Sequence, residues 1–134
     1  MGYRHTREEI LDAAAAVAVE GGMAALTFGA VGRRLGISDR MIVYYFPTKP
    51  ALVIAVAEKL GAGLELLLEA AFGSERLHRE DLLRRAWPAL AAESNDRVFS
   101  LFFEIVGLAA AAQPPYDALG PALLQRWVDW LTPH

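Results

Sequence analysis

A chain of 134 residues, 54% hydrophobic and 22% charged, suffices for one domain, or for a small domain with a helical extension, and is too apolar for disorder. It has no cysteine, which excludes a disulfide framework, a thiolate metal site and a cysteine nucleophile. The net charge of −3 does not advertise a polyanion partner, yet residues 1–59 hold seven Lys/Arg against six Asp/Glu, while residues 60–134 hold six against ten.

The opening MGYRHTREEI enters a charged helix start with no apolar leader segment, which predicts a cytoplasmic protein. Thr6-x-x-Glu9 is a capping box, with Thr6 accepting from a free backbone N–H and Glu9 reaching back. Ile10, Ala13, Ala14, Val17 and Ala18 follow as one apolar stripe, so a first helix runs to about residue 20 and ends at Gly21-Gly22. Thr27 suits the N-cap of a second helix ending at Leu35. Gly36 supplies a left-handed turn residue, and Ser38 caps a third helix that ends before Pro47. Thr48 caps a fourth, with Pro50 in its first turn, running to about residue 72. Its apolar span tempts a membrane reading, but Glu58, Lys59, Glu65 and Glu69 interrupt it, and charges at a bilayer centre are costly. GSERLHRED is a polar break. Further helices are predicted over about 79–93, with a kink at Pro88, over about 95–112, and over about 117–131 after the stop at Gln113-Pro114-Pro115. No strand signal and no internal repeat is found, so the fold class is all-α.

Two short helices joined by a Gly-Ile-Ser turn, with a third before them, are the parts of a helix-turn-helix unit. Gly32 and Ala30 provide small residues where the helices cross. In the third helix Ile42 and Phe46 face inward, which leaves Arg40, Met41 and Tyr44 on the opposite face with Asp39, Val43 and Tyr45 flanking. Groups able to contact base edges and phosphates are thus gathered on one helix of about groove length. Residues 27–50 carry Arg33, Arg34, Arg40 and Lys49 against Asp39 alone. A locally basic segment can bind DNA within an acidic chain, because the phosphate field acts over roughly 8 Å at physiological salt. The competing readings are core or rim packing for the tyrosines and a solvated helix face for Arg33 and Arg34. Arg4 could reach DNA from an N-terminal arm, with a disordered arm as the competing and favoured reading.

The order TREEILDAA, LTFGAVGRRLGIS and YYFPTKPALV resembles the TetR family of bacterial transcriptional regulators over residues 6–57. The resemblance is loose beyond, where FFEIVGLAA and RWVDWL are similar to helices of the family's divergent ligand-binding and dimerisation domain. It implies a three-helix DNA-binding domain over 1–50 and a helical regulatory domain over 51–134, linked through the fourth helix. It implies that Thr27 touches a phosphate, that Ser38 is the cap, and that Tyr45 and Lys49 hold the DNA backbone. Val43 stands where members usually carry Tyr, which implies apolar contact, for instance with a thymine methyl. Gly29 stands where many carry a polar residue, which implies less readout from the second helix. The resemblance also implies a homodimer. The two final helices that build the dimer bundle in the family are missing by count, so the chain is expected to be truncated or to dimerise through another surface, and as isolated to associate or dissolve poorly.

The C-terminal part is rich in aromatic residues. Trp87, Phe99, Phe103, Trp127 and Trp130 are candidates to border an apolar ligand cavity, with Glu104 as a polar group at it; core packing is the alternative for the rings, and an ion-paired rim position for Glu104. His5, His78 and His134 are too scattered for a metal site, and no cofactor is expected. The leading expectation is a repressor released from double-stranded operator DNA by a small-molecule inducer. The second is a DNA-binding regulator without such a ligand, controlled by abundance or a protein partner. A helical enzyme has no nucleophile–base pair or phosphate loop to support it.

Overall fold

The computed structural model describes residues 5–133; Arg4 and His134 lie outside them. Among the described residues there are seven α-helices and no strand. They are α1 (Arg7–Gly21), α2 (Phe28–Leu35), α3 (Asp39–Tyr45), α4 (Lys49–Phe72), α5 (Arg79–Leu90), α6 (Asp96–Ala110) and α7 (Tyr116–Leu131), with single 3-10 turns at Met23–Ala25 and Glu93–Asn95. None is long and apolar enough to cross a membrane. The chain divides into two compact units, one running to Lys59 and the other beginning at Leu60; α4 is continuous through the division.

Local chemistry sets the ends of the first four helices. The Glu9 N–H donates to Thr6 Oγ1 at 3.1 Å and starts α1. The Glu9 carboxylate meets His5 Nδ1 at 2.9 Å. Thr27 Oγ1 accepts from the Ala30 N–H at 3.0 Å at the start of α2, and Thr48 Oγ1 from the Ala51 N–H at 3.3 Å at the start of α4. Each such cap typically stabilises by about 1 kcal/mol. Ser38 is the N-cap residue of α3 in extended backbone, but its hydroxyl makes no capping bond. The expected side-chain cap is therefore absent there, and only the Ser38 carbonyl takes part, accepting from the Met41 N–H at 3.1 Å.

The first unit packs α1, α2, α3 and the start of α4 around Ile10, Leu26, Val31, Ile42, Leu52 and Val56, all fully buried. Alanine dominates the inner face of α1 through Ala13, Ala14 and Ala18, which lets neighbouring helices approach closely. Surface pairs add little to this: Lys59 reaches Asp12 at 2.7 Å, and Arg34 reaches Glu20 at 2.8 Å.

In the second unit, α5 ends at Leu90 rather than continuing to 93. Helix ends leave carbonyls unsatisfied, and the Asn95 side chain donates to the Ala89 carbonyl at 2.7 Å, so a 3-10 turn replaces the expected last turn. The α6–α7 crossing is tight: a Cβ at Gly120 would lie 2.5 Å from the Ala109 Cβ. Arg126 on α7 donates twice to Glu65 on α4, at 2.8 and 3.1 Å, and Trp130 lies 6.0 Å from Phe72.

Candidate nucleic-acid interface

The turn between α2 and α3 is built on two glycines. Gly36 takes the left-handed conformation, φ 69° and ψ 34°, where a Cβ is disfavoured. The Gly36 N–H and the Ile37 N–H both donate to the Gly32 carbonyl, the latter at 3.0 Å. Gly32 itself is buried, and a Cβ there would lie 2.8 Å from the Ile37 carbonyl oxygen. This chain reversal fixes the direction in which α3 leaves α2.

The inner face of α3 is locked by Ile42 at 0% and Phe46 at 2% exposure, with the Arg7 guanidinium 4.8 Å from the Phe46 ring centroid. At about 100° per residue, the pole opposite Ile42 belongs to Arg40 and Tyr44, one turn apart. Arg40 is exposed and Tyr44 is 79% exposed. Val43 is 39% exposed on one side, and half-buried Met41 lies on the other. Tyr45 is half-buried, with its ring edge-on to Tyr44 at 5.0 Å between centroids. Asp39 is turned toward the α2 crossing: its Oδ1 would lie 3.3 Å from a Cβ on Gly32. Ser38, Thr27 and Lys49 are all exposed. A hydroxyl has one donor and two acceptor sites, so Thr27 can cap α2 and still donate its proton outward.

The cations sort themselves. Arg34 is engaged with Glu20, whereas Arg33, Arg40 and Lys49 are exposed and form no ion pair among the described residues. For Arg33 and Arg34 the sequence offers both a solvated helix face and a phosphate contact, and only the ion pair on Arg34 separates the two.

The aromatic candidates of the second unit are dispersed. Phe99 and Trp127 line a partly open apolar cavity of about 180 Å³, together with Leu64, Leu68, Leu90 and Phe102. Trp130 borders a different, open groove with Glu65, Gln125, Arg126 and Asp129. Trp87 and Phe103, 62% and 67% exposed, do not border the cavity. Glu104 is also away from it; its charge acts on Tyr116, whose pKa is raised by burial and then by Glu104. Phe102 in place of Phe103 is a one-residue rotation around α6, and the run LFFEIVG gives no periodic signal to choose between them.

A helix-turn-helix unit whose second helix presents an exposed polar and aromatic face defines a DNA-binding protein. Residues 10–56 match the family model described as bacterial regulatory proteins, tetR family. The chain is a DNA-binding transcriptional regulator with a TetR-type DNA-binding domain. No curated protein and no solved structure matches it.

Proposed function

We propose that this regulator is a repressor that holds operator DNA as a homodimer and releases it when a small molecule enters the second unit. In this reading Arg40, Met41, Val43 and Tyr44 meet base edges in the major groove. Thr27, Ser38, Tyr45 and Lys49 meet the phosphates, with Asp39 flanking the face. Such a regulator acts in the cytoplasm, where bacterial DNA is. Two recognition helices related by two-fold symmetry suit half-sites about 34–36 Å apart, which is the reason for proposing a dimer.

The observation that carries the ligand-responsive part is the cavity against α4. Leu64 and Leu68 line it, and they belong to the same uninterrupted helix that begins at Lys49. A ligand that favours one position of this helix would change the affinity for DNA by its difference in affinity for the two positions. A functional division at residues 50 and 51 is also proposed, with α4 as the link; the compact units themselves divide between Lys59 and Leu60.

Fluorescence anisotropy with the DNA flanking the protein's own gene tests the reading. Tight, salt-sensitive binding to a palindromic site, weakened by a compound that also raises the melting temperature, is the expected result. Specific binding that no compound in a chemically diverse set weakens would leave control by abundance or by a protein partner. Absence of specific binding would refute the operator reading itself.

A further inference from the structure

We infer that the cavity of the second unit takes an uncharged arene of one or two fused rings, with no hydrogen-bonding group on the part that enters. This rests on the reading of that unit as the ligand-binding part, and narrows it to a chemical class. Leu64 and Leu68 from α4, Leu90 from α5, Phe99 and Phe102 from α6 and Trp127 from α7 form the wall, and only carbon faces the space. A carboxylate or hydroxyl turned in against this wall would give up its water and find no donor or acceptor in return, whereas one at the open side would keep its water. Shape and ring contact are all that the wall offers.

Size sets the second limit. The cavity is about 180 Å³. An apolar cavity of roughly 150 Å³ lined by Leu, Ile and Phe stays dry and accepts benzene. The space therefore holds one ring with a small alkyl group, or two fused rings. Three of the six wall residues are aromatic, and aromatic pairs favour offset or edge-to-face contact. A flat ligand can meet such rings in those geometries, whereas a branched aliphatic one of equal volume makes no quadrupole contact.

The nearest charges in sequence do not alter this. Glu69 follows Leu68 but is exposed and does not border the cavity. Glu65 and Arg126 are neighbours of Leu64 and Trp127, but they are bound to each other by two hydrogen bonds, 2.8 and 3.1 Å long. They border the separate open groove, which also holds Asp129. An anion drawn to Arg126 would meet two carboxylates there, and a cation drawn to Glu65 would have to displace its guanidinium.

Naphthalene and 1-naphthoate share a ring system and differ by one carboxylate, so they separate class from site. The full chain is titrated with each, and tryptophan emission and melting temperature are followed. Naphthalene should change the emission and raise the melting temperature, and 1-naphthoate should bind at least roughly tenfold more weakly. Leu68→Trp, shown to be folded by circular dichroism, should lose the response to naphthalene. Equal or tighter binding of 1-naphthoate overturns the arene assignment while the ligand-binding reading stands. Undiminished naphthalene binding by the folded Leu68→Trp protein overturns the site. No binding of naphthalene to the unsubstituted chain also overturns the assignment; the broader reading falls separately, when no compound of a diverse set releases DNA.

Discussion

Replacing Gly61 and Gly63 by alanine should stabilise this protein, and the same replacement at Gly32 should destabilise it. Gly61 and Gly63 lie in the interior of α4, where a Cβ would meet nothing within 4 Å, and neither takes a positive φ. Alanine in a helix interior is better than glycine by about 0.8–1 kcal/mol. Positions two apart do not face one another, so the two gains should add to about 2 kcal/mol. Each kcal/mol moves the melting temperature by roughly 4–8 °C for a unit of 60–100 residues. At Gly32 the added Cβ would sit 2.8 Å from the Ile37 carbonyl oxygen, which is backbone and cannot swing away. Overpacking of this kind costs about 1–3 kcal/mol. Gly107 in α6 also has open space around it, so Gly107→Ala is the matched control for a gain away from α4. Thermal and urea unfolding followed by far-UV circular dichroism give the signs. Gly61 and Gly63 fall beside the division between the two units at Lys59 and Leu60. If α4 transmits the ligand signal through local softness there, the double variant should lose ligand-triggered DNA release while Gly107→Ala keeps it. A destabilised Gly61→Ala/Gly63→Ala protein would refute the open-helix reading of α4, and an unperturbed Gly32→Ala protein would refute the tight turn.

Arg40→Ala should relax sequence preference at one base position and cost about 1–3 kcal/mol if Arg40 is bidentate to guanine; unchanged affinity and preference in a binding-site selection would show that the recognition face is misassigned. Lys49→Ala should weaken all sequences alike and lower the salt slope by about one, and a slope that stays put would remove Lys49 from the phosphate contacts. Burial, then the charge of Glu104, raises the Tyr116 phenol above its ordinary value of 10.0. The folded chain thus holds this proton more tightly than the unfolded one, so the stabilisation is full below pH 10 and is lost as pH rises through the raised value. Tyr116→Phe should flatten the alkaline loss of stability in urea titrations above pH 10, and an identical alkaline limb would contradict the assignment. Leu124, Val128 and Leu131 lie at one-turn spacing on α7 and are 55%, 59% and 42% exposed. Light scattering should show association that Val128→Glu diminishes, since exposed apolar patches mark contact surfaces; a monomer at every concentration that still binds a palindrome with full affinity would oppose the homodimer.

What could be read from the sequence was whatever depends on chemistry a few residues long. Thr6, Thr27 and Thr48 accept from N–H groups three residues on, and Gly36 turns the chain at its own φ. These signals need no tertiary knowledge, so the ends of the first four helices and the inward Ile42 and Phe46 were legible. Ser38 shows the limit even there. The residue type fits the cap, yet its hydroxyl is not used as one, and the exposed side chain remains available for another partner. In the second unit the deciding interactions run between elements. The Asn95–Ala89 bond that ends α5, the Gly120–Ala109 approach of α7 to α6 and the Arg126–Glu65 link between α7 and α4 leave no periodic trace.

Apolar patterning fails in that unit for a further reason. A helix that is apolar on one stripe declares its inner face. In α6, Leu101, Phe102, Phe103, Ile105 and Val106 are apolar on several faces, and exposure ranges from 2% at Leu101 to 67% at Phe103. Composition predicts a cavity lined with rings but cannot choose Phe102 over Phe103, nor turn Trp87 outward. The same ambiguity has a functional consequence. DNA readout relies on a rigid inner face, so its residues are fixed by packing and visible in the pattern. A ligand cavity relies on side chains that stop short of filling space, and incomplete packing has no local signature. In this chain the residues proposed to face DNA follow from the turn and the caps, while the proposed ligand class follows only from what the wall lacks: any group to which a polar ligand could bind.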